Sequence, residues 1–188
     1  YYNRGFGAMG INNNNRPDAD NSRLTALAFG GKVRWRAGDG SGDAEILQQA
    51  KFISLPTYAG GRLYAMAMHL ESYHLLCMDA ETGSLIWSVI VSQAPAMAAN
   101  SMGMYNHLVQ RASMPALADG VVYVLTNAGV VAAFEAETGR ALWAYQYNSA
   151  VNRSSRSSSS ILALMKWPVN PLVVTRDRLI CLPTDSDV

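Results

Sequence analysis

Short apolar segments recur along the chain, and small polar residues and glycine separate them. GVVYVLT, GVVAAFEA and RALWAYQ follow one another between residues 120 and 146. Segments of this length, bounded by turn-forming residues, predict β-strands rather than helices. VVYVL is apolar at every position, which is typical of a strand buried on both faces. The pattern therefore predicts short strands in sheets that have neighbours on both sides.

This pattern is written twice, since residues 56–89 align with residues 115–145. Each copy predicts four strands, the first led by a proline, and a fixed period of this kind indicates a repeat architecture. The matched pairs are Pro56 and Pro115, Gly61 and Gly120, Tyr64 and Tyr123, Asp79 and Glu135, Thr82 and Thr138, Gly83 and Gly139, and Trp87 and Trp143.

Incomplete copies flank the two complete ones. RLTALAFGGKVRW keeps Gly31 and Trp35 at the same separation, but Leu27 stands where the acidic residue is expected. PLVVTRDRLICL, residues 171–182, matches the opening of a repeat and stops before the tryptophan. The first piece therefore matches the end of a repeat and the second matches its beginning.

The most regular part of each copy is a turn followed by a tryptophan, DAETGSLIW in one and EAETGRALW in the other. The acidic side chain can accept hydrogen bonds from the amides of the turn, and the glycine supplies the positive φ that the turn requires. The tryptophan offers a large flat surface and one N–H donor, which suits it to docking one sheet against the next. Each sheet is therefore predicted to carry its own turn and tryptophan for docking against the next sheet.

Residues 77–87 and 133–143 resemble the tryptophan docking motif of the quinoprotein, or PQQ-like, β-propeller repeat. They depart from its consensus only by Cys77 in place of alanine and Glu135 in place of aspartate. The resemblance covers residues 22–182 and implies an all-β fold, a partial β-propeller of four-stranded antiparallel blades. It also implies a structural docking role for the motif residues, which are Gly31, Trp35, Asp79, Thr82, Gly83, Trp87, Glu135, Thr138, Gly139 and Trp143.

The expected organisation is one portion of a propeller domain. It comprises a partial blade at 22–36, blades at 50–93 and 110–149, and a partial blade at 168–188, with loops at 1–21 and 150–167. Two connecting segments, 43–52 and 94–111, are predicted to hold short helices.

Propellers close with about four to eight blades. Two full blades and two pieces fall short of that number, so the terminal pieces either join in one mixed blade or pair with other residues or chains. The mixed blade gives a three-bladed ring, and we therefore expect the second arrangement and a larger assembly.

Composition excludes some partners. The chain is 49% apolar and 15% charged, with a formal net charge of +1, which indicates a globular protein without an electrostatic footprint for nucleic acid. No apolar run approaches the ~20 residues of a membrane-spanning helix. Cys77 and Cys181 have no metal or redox spacing and are expected to be free thiols.

No catalytic or metal-binding constellation is predicted. The three histidines lack ligand spacing and are interpreted as loop contacts, and GFGAMG at residues 5–10 lacks the strand and helix of a dinucleotide site. Three methionines are interpreted as filler at contacts, and two arginines as part of a solvated serine-rich loop. These residues are His69, His74 and His107; Met97, Met102 and Met104; and Arg153 and Arg156.

The PQQ-like family contains quinoprotein dehydrogenases, which carry a vicinal cysteine pair, a calcium-binding Glu and Asn, and a catalytic Asp. It also contains noncatalytic propellers such as the lipoprotein scaffold of outer-membrane protein assembly. The chain has no adjacent cysteines, and no position matches the other dehydrogenase roles. The resemblance therefore favours a noncatalytic, cofactor-free scaffold in a bacterial periplasm, envelope or extracellular assembly, with loops 94–111 and 150–168 as partner contacts. The alternative is a fragment of a PQQ-dependent dehydrogenase.

Overall fold

The computed structural model describes residues 23–39, 43–93, 112–126, 128–147 and 172–182. These residues form thirteen strands and one short helix. The elements are β1 (Thr25–Leu27), β2 (Val33–Arg36), α1 (Glu45–Gln49), β3 (Lys51–Phe52), β4 (Thr57–Ala59), β5 (Arg62–His69), β6 (Ser72–Asp79), β7 (Leu85–Gln93), β8 (Ala116–Ala118), β9 (Val121–Thr126), β10 (Val130–Glu135), β11 (Ala141–Gln146), β12 (Leu172–Val174) and β13 (Leu179–Cys181).

Each complete repeat folds as an antiparallel sheet built on four consecutive strands, and in the first repeat the short strand β3 makes a fifth. In the first blade β4, β5, β6 and β7 pair in chain order, and in the second blade β8, β9, β10 and β11 do the same. Tight turns join the strands, so neighbours in sequence are neighbours in the sheet. The predicted fold class, a partial β-propeller of four-stranded antiparallel blades, is confirmed.

The innermost strand of each blade is interrupted at its proline. In the first blade β3 and β4 both pair with β5, and Pro56 lies between them. In the second blade Ala112 forms an isolated bridge to Thr126 ahead of β8, and Pro115 lies in the gap. Proline cannot donate to a strand ladder, and it is tolerated here because the position is at a sheet edge.

The helix predicted over residues 43–52 is shorter than expected. It spans Glu45–Gln49, and Ala44 provides no side-chain cap at its start. Lys51 and Phe52 instead pair with Met68 and Ala67 of β5. Hydrogen bonding to this free sheet edge overrides the helical tendency of the segment. The helix predicted over 94–111 lies outside the described residues.

The flanking pieces form separate two-stranded sheets, β1–β2 and β12–β13. They do not join in one mixed blade. Within the described ranges, no helix has the length and apolar character needed to cross a membrane.

The core lies between the blades. Tyr64, Met66, Tyr73 and Leu75 of the first blade pack against a second set of apolar side chains from the next blade, Val122, Val124 and Phe134 among them. The opposite face of the first blade packs against the β1–β2 hairpin and α1. On strand β9 the face of Val122, Val124 and Thr126 is buried, whereas Val121 and Tyr123 on the other face are only half-buried, so the burial on both faces that its apolar sequence predicts is met in part.

Candidate functional site

The motif tryptophans lie at the contacts between blades, and the first contact joins β2 to the blade that follows. The ring of Trp35 lies against Gly83, where an added Cβ atom would be 2.5 Å from its Cε3. The indole Nε1–H donates to the carbonyl of Ala80 at 3.1 Å. Gly83 has φ +77° and is buried, so both its backbone conformation and the close approach of the ring require glycine.

The second contact repeats the first one blade further along the chain. Trp87 of β7 lies against Gly139, where an added Cβ would be 2.8 Å from its Cε3. Its Nε1–H donates to the carbonyl of Glu137 at 3.0 Å. Each tryptophan therefore contacts the turn of the following blade rather than the turn of its own motif.

Asp79 organises the turn that receives Trp35. Its Oδ1 accepts hydrogen bonds from the amides of Glu81 (3.0 Å) and Thr82 (2.8 Å) and from the Thr82 hydroxyl (2.9 Å). The Thr82 amide, followed by the Thr82 hydroxyl, holds the pKa of Asp79 below its ordinary value because both bonds favour the carboxylate. These are the amide bonds that the sequence predicts.

Glu135 occupies the equivalent position but is bonded differently. It accepts from the Thr138 hydroxyl and from the Arg140 guanidinium, whose Nη2 lies 3.3 Å from Oε1. The Thr138 hydroxyl and then Arg140 lower the pKa of Glu135. The bonds of its longer side chain run to other side chains rather than to the turn amides, so the amide bonds predicted from sequence differ at this copy.

The outermost members of the motif set lack such a contact among the described residues. Gly31 has φ +82° and no heavy atom within 4 Å of where its Cβ would be. Trp143 packs against Tyr123 with ring centroids 6.1 Å apart, as Trp87 packs against Tyr64 at 6.0 Å. It is nevertheless 44% exposed and lines a cleft of about 330 Å³ beside the β12–β13 hairpin.

A second link between the blades was not identified from sequence. Arg62 Nη1 donates to the carbonyl of Glu137 at 3.0 Å, and the Tyr64 hydroxyl donates to the carbonyl of Ala136 at 3.1 Å. Burial raises the pKa of Tyr64, which keeps its hydroxyl protonated as a donor. Tyr64 recurs as Tyr123 in the repeat alignment, whereas Arg62 aligns with Val121, so no repeat signal pointed to Arg62.

His69 is the last residue of β5, whereas His74 lies within β6 and pairs with Ala67, so His74 is a buried strand residue and not the loop contact interpreted from the sequence. Their ring centroids are 5.8 Å apart, and His69 Nε2 lies 3.2 Å from Gln49 Oε1. His74 is only 9% exposed, and its Nδ1 has no partner. Burial, and then the proximity of His69, lowers the pKa of His74.

The remaining candidates add no further site. Cys77 is a buried free thiol and Cys181 a half-buried one. Among the described residues, no group of three or more His, Cys, Asp or Glu side chains could hold a metal ion. Six candidates lie outside the described residues, namely His107, Met97, Met102, Met104, Arg153 and Arg156.

Comparison with sequence families gives a match over residues 20–181 to PQQ_2, the family described as outer membrane protein assembly factor BamB. No curated protein matches the sequence.

Solved structures with a similar fold include BamB from Moraxella catarrhalis, which is 16% identical with a TM-score of 0.41 over 66% of this chain and 30% of that one. Quinohemoprotein alcohol dehydrogenase ADHIIG from Pseudomonas putida HK5 is 20% identical with a TM-score of 0.44 over 67% of this chain and 24% of that one. The enzyme from Comamonas testosteroni is 16% identical with a TM-score of 0.45 over the same shares. The chain thus spans between 24% and 30% of the length of these three structures.

Proposed function

Because the chain belongs to the PQQ_2 family, described as outer membrane protein assembly factor BamB, we propose that it is a noncatalytic PQQ-like β-propeller portion. It acts as a protein-binding or structural scaffold, without a cofactor, in an assembly of the bacterial periplasm, envelope or cell exterior. The family match supports the scaffold role, and the contact made twice between a motif tryptophan and the glycine turn of the next blade supports the propeller architecture.

The motif residues serve as a tryptophan docking motif in this proposal. The carboxylate of Asp79 is occupied by three donors of its own turn, and the Trp87 N–H is occupied by a carbonyl of the next blade. Groups whose hydrogen bonds are made within the blade contacts stabilise the propeller. Binding residues are then expected on the loops that this rigid scaffold positions.

The proposal extends to the organisation and partners of the chain. The blades run over 50–93 and 110–149, with partial blades at 22–36 and 168–188, and further blades or other protein chains cover the ends. Loops 94–111 and 150–168 contact the partner. The open space at Gly31 and the exposure of Trp143 in the cleft beside the β12–β13 hairpin support an arrangement in which both partial blades have neighbours.

A deletion in the source organism tests the scaffold role. We expect the outer membrane to contain less folded β-barrel protein, measured by heat-modifiable electrophoretic mobility, and we expect the wild-type gene to restore it. Unchanged levels in the deletion strain would overturn the assignment to envelope assembly.

A titration with PQQ and calcium tests the dehydrogenase alternative. We expect no saturable absorbance change and no dye-linked alcohol oxidation. Binding of PQQ at one site, together with dye reduction, would overturn the scaffold proposal in favour of the dehydrogenase.

A further inference from the structure

The β1–β2 and β12–β13 hairpins are complementary parts of a blade. Each forms a two-stranded sheet, and among the described residues neither β1 nor β13 has a second neighbouring strand. In the two complete blades the corresponding strands pair with each other, as β5 pairs with β6 and β9 pairs with β10. The first hairpin therefore supplies the last two strands of a blade, and the second supplies the first two.

Both free strands carry apolar side chains that a complete blade buries. Ile180 of β13 is 53% exposed, and Leu27 of β1 is 59% exposed. The paired central strands of the complete blades are buried at half or more of their positions. A two-stranded sheet is only marginally stable in water, and further strands on a shared apolar face stabilise it. Each hairpin therefore gains stability by pairing along its free edge.

The β12–β13 hairpin already lies in the position of the next blade. Strand β12 lies against β8 of the second blade, as β8 lies against β4 of the first. Val174 and Leu179 of this hairpin line the cleft of about 330 Å³ that also contains Trp143. In both other blade contacts a glycine turn covers the ring of the motif tryptophan. The β1–β2 hairpin carries a turn of this kind, with open space at the Cβ position of Gly31.

We propose that a second copy of this chain completes the blade, with β13 of one copy paired antiparallel to β1 of the other. The shared sheet has the strand order β12–β13–β1–β2, and the Gly31 turn of one copy covers Trp143 of the other. Within one chain the two hairpins are separate sheets, so the pairing forms between copies. This inference rests on the blade organisation in the proposed function and commits the neighbour of both partial blades to a second copy.

The place of β1 in the shared blade follows from its pairing with the tryptophan strand. Ala26 of β1 pairs with Trp35. In the first blade the motif tryptophan, Trp87, pairs with Cys77. Ala26 therefore takes the place of Cys77, whose partner on the preceding strand is Tyr64.

The place of β13 follows from its proline and from its two faces. The alignment that begins at Pro171, with one extra residue in the turn, puts Ile180 in the place of Tyr64. Leu179 lines the cleft beside the second blade. Since successive strand residues point to opposite faces, Ile180 points away from that blade, as Tyr64 points towards the blade that follows its own. The shared blade therefore pairs Ala26 with Ile180.

Two copies are enough to close a ring. They contain four complete blades and two shared ones, and six blades lie within the range of about four to eight in which propellers close. A head-to-tail contact stops growing when it closes. We therefore expect association to end at the dimer, with twice the chain mass of 20.4 kDa.

The register gives a cross-linking test, because it puts Thr25 opposite Cys181 of the other copy. Opposite residues of an antiparallel pair have Cα atoms about 4.5–5.5 Å apart, a separation that a disulfide can span. We expect most of the Thr25→Cys protein to become a disulfide-linked dimer under mild oxidation, as seen on a non-reducing gel. Dithiothreitol should return it to the monomer.

Phe29→Cys is the matched control. Phe29 is fully exposed between β1 and β2 of the same hairpin, so a thiol there is accessible but does not lie opposite Cys181. Thr25→Cys combined with Cys181→Ser removes the partner thiol. Neither control should give the linked dimer, and equal urea midpoints under reducing conditions would establish that all variants are folded.

The outcomes separate the shared blade from the alternatives. Absence of cross-linking in folded Thr25→Cys protein, a disulfide within one chain, or a dimer that persists with Cys181→Ser would each overturn the shared blade. Linked species larger than the dimer would overturn closure at two copies. If no dimer forms while the deletion still lowers folded β-barrel protein, the shared blade is wrong and the scaffold role stands. The specific dimer without that deletion phenotype gives the reverse result.

Discussion

Gly139 lies under the ring of Trp87 and has φ +74°, so a substitution there has two separable costs. We expect Gly139→Ala to lower the free energy of unfolding by about 1–2 kcal/mol for the left-handed backbone, and by about 1–3 kcal/mol more for the clash with Trp87. Urea unfolding of the purified variant measures the sum.

Gly120→Ala is the matched control. Gly120 has φ +75° in the same blade, but no heavy atom lies within 4 Å of its Cβ position. Only the backbone cost applies, so Gly139→Ala should be the less stable variant. Equal urea midpoints for the two variants would show that the Trp87 ring moves aside at no cost and does not hold the turn in place.

Trp87 contributes both a ring and a hydrogen bond to the contact. We expect Trp87→Phe to cost about 1–2 kcal/mol, because the bond to the Glu137 carbonyl is lost and the smaller ring buries less surface. Trp143→Phe should cost less, since the Trp143 side chain is 44% exposed beside a cleft. Chemical denaturation of both variants tests this, and a larger loss at Trp143 would contradict it.

His74 links stability to pH. Its folded pKa is lowered from an ordinary value of about 6.5, so the unfolded chain binds the proton more readily. The contribution to stability is therefore complete above about pH 6.5 and is lost as the pH falls from there towards the folded pKa. We expect the urea midpoint to drop between pH 7.5 and 5, and His74→Asn to reduce that drop.

His69→Asn separates the two causes of this shift. Burial is the larger cause and remains in that variant, so most of the pH dependence should persist. A pH profile of His74→Asn identical to that of the wild type would exclude His74 as the source.

The repeated spacing of glycine and tryptophan draws attention to Gly83, Trp87 and their counterparts, but it does not indicate which blade each side chain contacts. Trp87 contacts Gly139 of the next blade and not Gly83 of its own motif. This is a tertiary contact, so it cannot be predicted from a local sequence pattern. The link from Arg62 to the next turn was missed for the same reason, as it has no counterpart in the other copy.

The same difference holds for whole elements. The four strands of each blade follow from short apolar segments and turn residues, so they were predictable. The division of the innermost strand into β3 and β4 was not, because Lys51 and Phe52 leave a helical segment only to pair with β5. Long-range strand pairing of this kind competes with local propensity, so it cannot be predicted from the local sequence.

The two copies of the turn differ in chemistry, and this difference gives a prediction for the hairpin of β6 and β7. Asp79 holds two backbone amides of its turn, whereas the bonds of Glu135 run to side chains. We expect Asp79→Ala to lower the melting temperature more than Glu135→Ala does, as measured by circular dichroism. Because both folded pKa values are lowered, the advantage of each wild-type carboxylate should fade as the pH falls below about 4.

At the scale of the whole molecule, two exposed surfaces are complementary halves of one contact. The β1–β2 hairpin presents a glycine turn with open space at Gly31, and the second blade presents Trp143 beside the β12–β13 hairpin, with Tyr145 65% exposed nearby. A surface that fits a different surface of the same molecule makes head-to-tail contacts, which grow unless they close into a ring. Exposed apolar surface of this kind marks an interface.

We therefore expect this 188-residue chain, purified alone, to self-associate end to end, with a mass above 20.4 kDa that rises with concentration in sedimentation experiments. Trp143→Lys should weaken the association, because it puts a charge where an indole meets a turn. Leu70→Lys, which also adds one charge at an exposed apolar position, should leave the association unchanged. A monodisperse monomer whose Trp143 is protected from acrylamide quenching would contradict this expectation, since the ring would then be covered within one chain.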